Sequence, residues 1–250
     1  MLSELLPLKP GMIVALIGAG GKTTTMFRLA AEQAARGLRV ITTTTTYIFP
    51  PGAEQTGTLV LETDRAALLA GVAAALARQL HITAATAATP EGKLRGVPPE
   101  WVADLLSLPK VDFVLVEADG AKGRMLKAPA EHEPAIPSTV HLVLLLASAE
   151  ALGMPLSDAI AHRLDRVEAI TSLKAGEILT PQALARLAAH QEGLLKGVPQ
   201  GVPAVLALTH VDERNLDSAE KTARHALASG RLAGVLLCSL EWAQFRKNGA

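Results

Sequence analysis

The sequence predicts an α/β fold with a mainly parallel, twisted sheet and helices on both faces. Three observations predict it. The apolar runs of strand length are continuous rather than alternating, which is typical of parallel strands covered on both sides. Helical patterns separate most of these runs, so the chain follows the order of repeated βαβ units. A glycine-rich turn ending in Lys-Thr lies between the first predicted strand and the first predicted helix.

Each predicted strand is a short run of mainly aliphatic residues. The seven strands are Met12–Ile17, Leu38–Thr42, Thr58–Leu61, Val111–Val116, Val140–Leu146, Ala204–Leu208 and Gly234–Cys238. Five segments between them predict helices, which are Lys22–Arg36, Arg65–Gln79, Pro99–Leu106, Pro181–Ala189 and Ser218–Ser229. We expect a single domain over residues 1–250. Residues 149–201 show helical patterns without a clear strand and are predicted to form a helical insert.

Composition excludes several classes of partner. Lys+Arg and Asp+Glu both number 24, so the chain carries no electrostatic footprint for nucleic acid or an anionic membrane surface. No apolar run approaches the ~20 residues of a membrane helix. Glu4, Pro7 and Pro10 interrupt the N-terminal apolar residues, so no signal peptide is expected. With one cysteine, Cys238, no internal disulfide forms, and we expect a cytoplasmic protein.

The glycine-rich turn has the pattern GxxGKTT and predicts a phosphate-binding loop. Its residues are Gly18, Ala19, Gly20, Gly21, Lys22, Thr23 and Thr24. We expect the loop N–H groups to cradle phosphate, Lys22 to reach the β- and γ-phosphates, and Thr23 to offer its hydroxyl to Mg²⁺. The commoner GxxxxGK[ST] pattern is not met, because Leu16 stands where its first glycine would be. The alternative is a tight βα turn with a solvated lysine.

This loop is similar to those of two nucleotide-binding classes. The short form GxxGKTT resembles the loops of the Mur and folylpolyglutamate ligases. The run "GKTTT" followed by "RLA" resembles the signal-recognition-particle class of P-loop NTPases. Both classes belong to the P-loop superfamily, so the resemblance implies a P-loop NTPase-like fold with ATP or GTP and Mg²⁺ as cofactors.

Two acids follow the predicted strand Val111–Val116. Glu117 comes directly after it and Asp119 two residues later, in "EADG". A strand that ends in an acid is how a P-loop protein places a carboxylate near Mg²⁺ or the attacking water. Either acid could serve the metal. The alternative is that both are surface residues.

The segment "THVD" follows the predicted strand Ala204–Leu208. The pattern [NT]KxD after a strand reads guanine in GTPases, and Asp212 stands at its aspartate position. His210 replaces the lysine, so both ATP and GTP stay open. The alternative role for Asp212 is that of a helix cap or loop acid.

The segment "AKGRMLKAPAEHEP" carries charges directly after the two acids. We expect Lys122 and Arg124 to neutralise charge that develops during phosphoryl transfer, and His132 or Glu131 to act as a general base. The alternative is a solvated charged loop.

Two further segments are weaker candidates. The threonines of Thr42–Thr46 follow the second predicted strand and could bind Mg²⁺, phosphate or substrate, with Tyr47 beside them, although threonine also suits strand ends. His162 and Arg163 form a weak pair in "AHRLD". No set of side chains has metal-ligand spacing.

Taken together, the motifs resemble the YqeC family. They are "IGAGGKTTTM", "TTTTTYIFPP", "VLVEADGAKGRMLKAPAEHEPAIP", "AHRLDRV", "LTPQALARLAAHQEGLLKGVP" and "THVD". The resemblance implies an NTP-dependent maturation factor for selenium-dependent molybdenum hydroxylases, acting on the molybdenum cofactor or its selenium ligand. It also implies a hydroxylase or another maturation protein as partner. His210 departs from the family, in which lysine is frequent.

Two other functions compete with this one. A nucleotide-switched chaperone or cofactor-insertion protein would hydrolyse NTP without changing a small molecule, and "GKTTT" favours it. A Mur-type ATP-dependent amide ligase is favoured by GxxGKTT. Such ligases are normally longer, whereas this chain ends soon after Ser239.

Overall fold

The computed structural model describes residues 1–52, 55–239 and 243–246. These residues divide into two compact units. The first contains residues 1–16, 23–120 and 135–142, and the second contains residues 17–22, 121–134 and those from 143 onward. The single domain predicted over residues 1–250 stays a prediction.

The first unit contains a parallel sheet with the strand order β1-β8-β2-β5-β4. Three short strands later in the chain than β2 form a small antiparallel sheet with the order β3-β7-β6. The strands are β1 Met12–Gly18, whose last two residues belong to the second unit, β2 Val40–Thr44, β3 Tyr47–Ile48, β4 Thr58–Leu61, β5 His81–Ala85, β6 Ala87–Ala88, β7 Leu94–Arg95 and β8 Phe113–Glu117. The helices are α1 Lys22–Ala34, whose first residue belongs to the second unit, α2 Arg65–Leu76 and α3 Val102–Leu106.

Burial explains why these segments form strands. Every residue of β2, β5 and β8 is buried, as continuous apolar or threonine-rich strands inside a parallel sheet must be. The helix α2 begins after Asp64, whose carboxylate accepts a hydrogen bond from the N–H of Ala67 at 2.9 Å. Such a cap satisfies one of the N–H groups that a helix leaves unpaired at its start.

The second unit contains a parallel ladder β10-β12-β13, to which β14 adds antiparallel. A two-stranded parallel sheet joins β9 and β11. The strands are β9 Leu126–Lys127, β10 Leu142–Ser148, whose first residue belongs to the first unit, β11 Ala161–His162, β12 Ala204–Thr209, β13 Gly234–Cys238 and β14 Ala243–Arg246. The helices are α4 Leu164–Thr171, α5 Pro181–Ala189 and α6 Leu216–Ala228.

The predicted mainly parallel α/β fold is confirmed. All seven predicted strands form, with ends that move by two residues at most. The expected βαβ order is wrong in part. Among the described residues, no helix lies between β2 and β4 or between β8 and β10, and β14 runs antiparallel to β13.

The sequence prediction missed the strand β5, which carries His81 and Thr83, whose polar side chains hide its buried character. Residues 149–201, for which helical patterns were predicted, contain α4, α5 and the two-residue strand β11. The status of that segment as an insert stays a prediction. Among the described residues, no helix is both long and apolar enough to cross a bilayer.

Candidate functional site

The glycine-rich loop packs against the end of β10, within the second unit. Gly18 and Gly20 have φ angles of +96° and +77°, which residues with a side chain rarely adopt. A Cβ atom on Gly18 would lie 2.2 Å from the carbonyl oxygen of Leu146, and one on Gly20 would lie 2.7 Å from the amide nitrogen of Ser148. Because both positions exclude a side chain, glycine is required for the loop to lie where it does.

Three hydrogen bonds fix the backbone of this loop. The N–H of Ala19 donates to the carbonyl of Leu146 at 2.9 Å, and the N–H of Gly20 donates to the carbonyl of Arg124 at 3.0 Å. The hydroxyl of Thr209 donates to the carbonyl of Gly20 at 2.5 Å. Two other predicted site segments, the charged loop after β8 and "THVD", therefore contact the glycine-rich loop directly.

Lys22 begins helix α1 and is 6% exposed. Its ammonium group donates to the carbonyl of Gly18 at 2.8 Å, so the side chain folds back over the loop. The first turn of a helix has N–H groups without intrahelical partners, and these attract anions. Lys22 thus places a positive charge beside the N-terminus of α1.

Thr23 and Glu117 contact each other within the first unit. The Thr23 hydroxyl donates to Oε2 of Glu117 at 2.6 Å. Glu117 ends β8 and pairs in register with Leu16 of β1, two residues before Gly18. Asp119 lies two residues further along the chain and is fully buried. The structure therefore brings the predicted threonine and the first of the two predicted acids together.

Oxygen donors of this kind fit Mg²⁺. A hydroxyl and a carboxylate are hard ligands, and Mg²⁺ in nucleotide sites takes few protein ligands, with phosphates and water completing its shell. Among the described residues, no group of three or more His, Cys, Asp or Glu side chains could hold a metal on its own. Thr23 and Glu117 would hold Mg²⁺, and the ion would supply charge neutralisation on the phosphates.

The threonine run, Thr42–Thr46, makes hydrogen bonds to other groups of the protein. Thr42 contacts Nε2 of His81 at 3.0 Å and the hydroxyl of Thr83 at 2.8 Å. Thr44 donates to the carbonyl of Glu117 at 2.7 Å. Thr43 and Thr45 donate to backbone carbonyls at 2.8 and 2.7 Å. These contacts match the structural role expected of threonine at strand ends.

His81 is part of this buried network. It is 7% exposed, and its ring lies 5.9 Å from that of Phe27. Burial lowers the pKa of His81 to about 4. The imidazole is therefore neutral at physiological pH and serves packing and hydrogen bonding.

His210 and Asp212 follow β12. Nδ1 of His210 lies 3.1 Å from the hydroxyl of Ser148 and 3.1 Å from that of Thr209, and its Cε1 lies 3.5 Å from where a Cβ of Gly21 would be. The Asp212 carboxylate accepts from the N–H of Arg214 at 2.9 Å and from its guanidinium. Hydrogen bonds from Arg214 lower the pKa of Asp212. The base-reading role of Asp212 stays a prediction.

The charged loop after β8 is fixed by a buried ion cluster. The ammonium of Lys127 and Nη1 of Arg163 lie 2.9 and 2.6 Å from the same oxygen, Oε2 of Glu133. Burial opposes ionisation of Glu133, but hydrogen bonds from these two cations lower its pKa to about 2. Lys122 and His132 are exposed.

Sequence reasoning did not assign roles to two of these residues. The Thr209 hydroxyl holds the glycine-rich loop, and Arg163 pairs with Glu133 across 30 positions of the chain. Thr209 is the first residue of the motif "THVD", so its position in the sequence could have indicated a place near the site. The partner of Arg163 could not be found from spacing, because the two segments meet through tertiary contacts such as the β9–β11 pairing.

Comparisons with known proteins agree with these motifs. The family model described as YqeC protein matches residues 14–165. A curated protein of Escherichia coli (strain K12), named "Uncharacterized protein YqeC", is 36% identical over 190 residues, which are 76% of this chain and 72% of that protein. The solved structure of FtsY from Mycoplasma mycoides aligns with 90% of this chain and 51% of its own, at 13% identity and a TM-score of 0.31. A likeness that low does not bear on function.

Proposed function

The chain belongs to the YqeC family, and from that premise we propose that it is a Mg²⁺-assisted nucleotide hydrolase or phosphotransferase that acts in cofactor maturation. The nucleotide is ATP or GTP. The target is the molybdenum cofactor of selenium-dependent molybdenum hydroxylases, as the family resemblance implies. The partner is such a hydroxylase or another maturation protein.

The contact between Thr23 and Glu117 is the observation that carries this proposal. It joins a hydroxyl one residue after Lys22 to a buried carboxylate at the end of a parallel strand. A nucleotide site needs both, because the bound metal takes its protein ligands from these two positions.

Each residue of the site has an expected role. Lys22 and the first-turn N–H groups of α1 bind the β- and γ-phosphates. Thr23 and Glu117 hold the metal ion, and Asp119 orients Glu117 or the attacking water. Gly18, Ala19, Gly20, Gly21 and Thr24 shape the loop around the phosphates. These assignments follow from chemistry and position in the chain.

The charged loop supplies groups for the transfer step. Its backbone already contacts the glycine-rich loop through the bond from Gly20 to Arg124. We therefore place Lys122 and Arg124 near the transferred phosphoryl group, where cations stabilise developing negative charge. His132 is exposed and has the chemistry of a general base.

Binding of ATP and GTP, each with and without Mg²⁺, tests the proposal. Lys22→Ala should weaken binding at least about tenfold, because charge-assisted hydrogen bonds contribute roughly 1.5–3 kcal/mol. The matched control is Lys174→Ala, since Lys174 is an exposed lysine of the second unit. If Lys22→Ala and Lys174→Ala both bind as the parent does, the phosphate site is wrong.

The same binding assay tests whether the protein distinguishes guanine from adenine in the nucleotide. Asp212→Ala should reduce the ratio of GTP to ATP affinity if the carboxylate reads guanine. An unchanged ratio would remove GTP preference from the proposal and leave the phosphate site intact.

A further inference from the structure

Two segments of the first unit that have no role in the nucleotide site meet in the small sheet β3-β7-β6. One continues from the threonine run into Tyr47–Phe49, and the other is the hairpin of β6 and β7. They pair antiparallel, with Tyr47 opposite Arg95 and Ile48 opposite Leu94. Side chains of paired residues project to the same face of a sheet. Each face of the small sheet is therefore built from two distant segments of the chain.

The two faces of this sheet differ in burial. Ile48 and Leu94 are 4% and 1% exposed, so their face packs against the protein. Tyr47 lies on the other face and is 50% exposed, together with the exposed Arg95. Phe49 directly follows β3 and is 64% exposed, which continues the alternation of side chains along the strand. One face of the sheet is thus open to solvent and carries two aromatic rings.

These exposed rings contrast with the other phenylalanines of the first unit. Phe27 and Phe113 are buried in the core. Aromatic side chains contribute most to stability when they are buried, because each covers a large apolar area. Half of Tyr47 and most of Phe49 remain in solvent instead. Exposed apolar groups that lie side by side, rather than singly, indicate a contact site.

Two cations lie on the same face. Nζ of Lys93 is 5.1 Å from the centroid of the Phe49 ring, within the range of a cation–π contact. Arg95 is exposed opposite Tyr47. Glu91 stands in the turn beyond the last residue pair of β6 and β7, so this acid lies at the end of the hairpin. We call four side chains the aromatic–cationic face: Tyr47, Phe49, Lys93 and Arg95.

The backbone holds this face at the end of β2. The N–H of Gly96 donates to the carbonyl of Thr46 at 2.8 Å, and the N–H of Val97 donates to the carbonyl of Thr44 at 2.8 Å. A Cβ atom on Gly96 would lie 1.9 Å from the Thr44 carbonyl oxygen, so only glycine permits this approach. Thr44 pairs in register with Glu117 of β8. The aromatic–cationic face is therefore fixed to the strand beside the one that ends in the proposed metal ligand.

The chemistry of the face selects the class of ligand. Aromatic rings stack on flat ring systems, and the stacking tolerates different heterocycles because each has a π-face. Lysine and arginine bind anionic groups. Two rings and two charges fit a small molecule, because a specific protein interface buries about 800 Å² on each partner. A nucleic acid would need a longer basic stripe, whereas the chain has a net charge of zero.

We propose that the aromatic–cationic face binds a small, flat heteroaromatic compound that carries a negative charge. The two rings stack on its ring system, and the two cations bind its anionic group. The site itself follows from the contacts of the small sheet. Its assignment to the second substrate rests on the proposed function, and it identifies that substrate as a heteroaromatic anion.

Tyr47 is the only tyrosine of the chain, so isotope labelling of tyrosine rings gives a signal that reports on this face directly. The probe is pterin-6-carboxylate, a flat two-ring heterocycle with one carboxylate, and pterin is the matched compound without that charge. Pterin-6-carboxylate should shift the Tyr47 ring signal upfield in a saturable NMR titration of the full-length protein, because a stacked ring shields its neighbour. Pterin should shift the signal in the same direction at higher concentration.

Three variants separate stacking from charge. Phe49→Leu should weaken binding of both compounds at least about fivefold, because stacking on an aromatic ring contributes roughly that factor or more. Arg95→Gln should weaken binding of pterin-6-carboxylate about two- to fivefold, as expected for an exposed ion pair, and leave that of pterin unchanged. Arg78→Gln is the matched control, since Arg78 is an exposed arginine of the first unit outside the small sheet, and it should bind both compounds as the parent does. Thermal unfolding of each variant checks the fold.

Three outcomes overturn the site. In the first, pterin-6-carboxylate at millimolar concentration leaves the Tyr47 signal unchanged. In the second, Phe49→Leu and Arg95→Gln titrate as Arg78→Gln does. In the third, the Tyr47 signal shifts with protein concentration and the probe does not alter it, which would assign the face to contact between copies of the chain.

The source of the bound ring is tested in the parent protein with saturating Mg²⁺ and nucleotide. If pterin-6-carboxylate still shifts the Tyr47 signal, the face is separate from the site of the nucleotide base, as proposed. If ATP or GTP alone produces the shift and blocks the probe, assignment to a second substrate is overturned. If the probe binds but the protein binds no nucleotide, the proposed function is refuted and the site stands.

Discussion

The sequence predicted possible ligand sites both in the threonine run at the end of β2 and in the charged loop after β8. The two segments differ in how their polar groups are bonded in the structure. The hydroxyls of Thr42, Thr43, Thr44 and Thr45 all find partners within the first unit. In the charged loop, Lys127 and Arg163 both contact the carboxylate of Glu133, whereas Lys122 and His132 are exposed. The hydroxyls of the threonine run therefore serve the fold, whereas the exposed charges of the loop are available to a ligand.

The largest expected effect concerns Glu133 of the charged loop, whose carboxylate contacts Lys127 and Arg163. Glu133→Gln removes the charge of a carboxylate that contacts the fully buried ammonium of Lys127, so we expect a loss of roughly 3–5 kcal/mol in the free energy of unfolding. Urea denaturation measures it. The double variant Lys127→Met with Glu133→Gln should recover much of that loss. Equal stability of the parent and Glu133→Gln would show that Glu133 does not hold the cluster.

Acid should act on the two regions in different pH windows. The pKa of His81 is lowered from 6.5 to about 4, so its neutral form stabilises the fold above pH 6.5 and this contribution, up to about 3 kcal/mol, is lost as the pH falls towards 4. The pKa of Glu133 is lowered from 4.5 to about 2, so its contribution is lost only between those values. Unfolding measured against pH should show both steps.

Two variants assign these steps. His81→Gln should remove the step between pH 6.5 and 4 and leave the lower one, and Glu133→Gln should do the reverse. A single step that neither variant alters would contradict the separation of the two regions.

A smaller effect is expected in the threonine run. Thr42→Val removes a buried hydroxyl with two side-chain partners, which should cost about 1–2 kcal/mol in stability. Nucleotide affinity should not change, because the Thr42 hydroxyl makes its hydrogen bonds inside the first unit. If Thr42→Val lowers nucleotide affinity without lowering stability, the threonine run takes part in ligand binding and this account of it is wrong.

The smallest effect is expected where a threonine supports the glycine-rich loop. Thr209→Val removes the bond to the carbonyl of Gly20, which should weaken nucleotide binding by a few-fold. Thr209→Ser keeps a hydroxyl and should bind as the parent does. If valine and serine behave alike, the bond does not position the loop.

Local patterns were sufficient to predict much of the site. The strand, glycines and Lys-Thr between Met12 and Thr24 are contiguous, so one stretch of sequence carries the whole loop. Glu117 was proposed because a parallel strand places its last residue at the sheet edge where ligands bind. The structure places Thr23 and Glu117 in direct contact, and their roles stay predictions.

Contacts between distant segments could not be predicted in the same way. His81 and Thr42 lie 39 residues apart in the sequence. Their hydrogen bond gives the polar side chain of His81 a partner, so that β5 can be buried in the core. The pairing of Arg163 with Glu133 depends on β9 and β11, which have two residues each and no apolar pattern of useful length. Tertiary pairing, rather than propensity, decides these positions.

The central claim is that Thr23 and Glu117 belong to a Mg²⁺-dependent nucleotide site. Calorimetric titration of ATP and GTP, with Mg²⁺ or with EDTA, tests it most directly in the parent, Thr23→Val and Glu117→Gln proteins. We predict that Mg²⁺ strengthens nucleotide binding to the parent at least about tenfold, and that either substitution removes this gain while metal-free binding persists. Binding that does not respond to Mg²⁺ in the parent, or a gain that survives both substitutions, would contradict the claim.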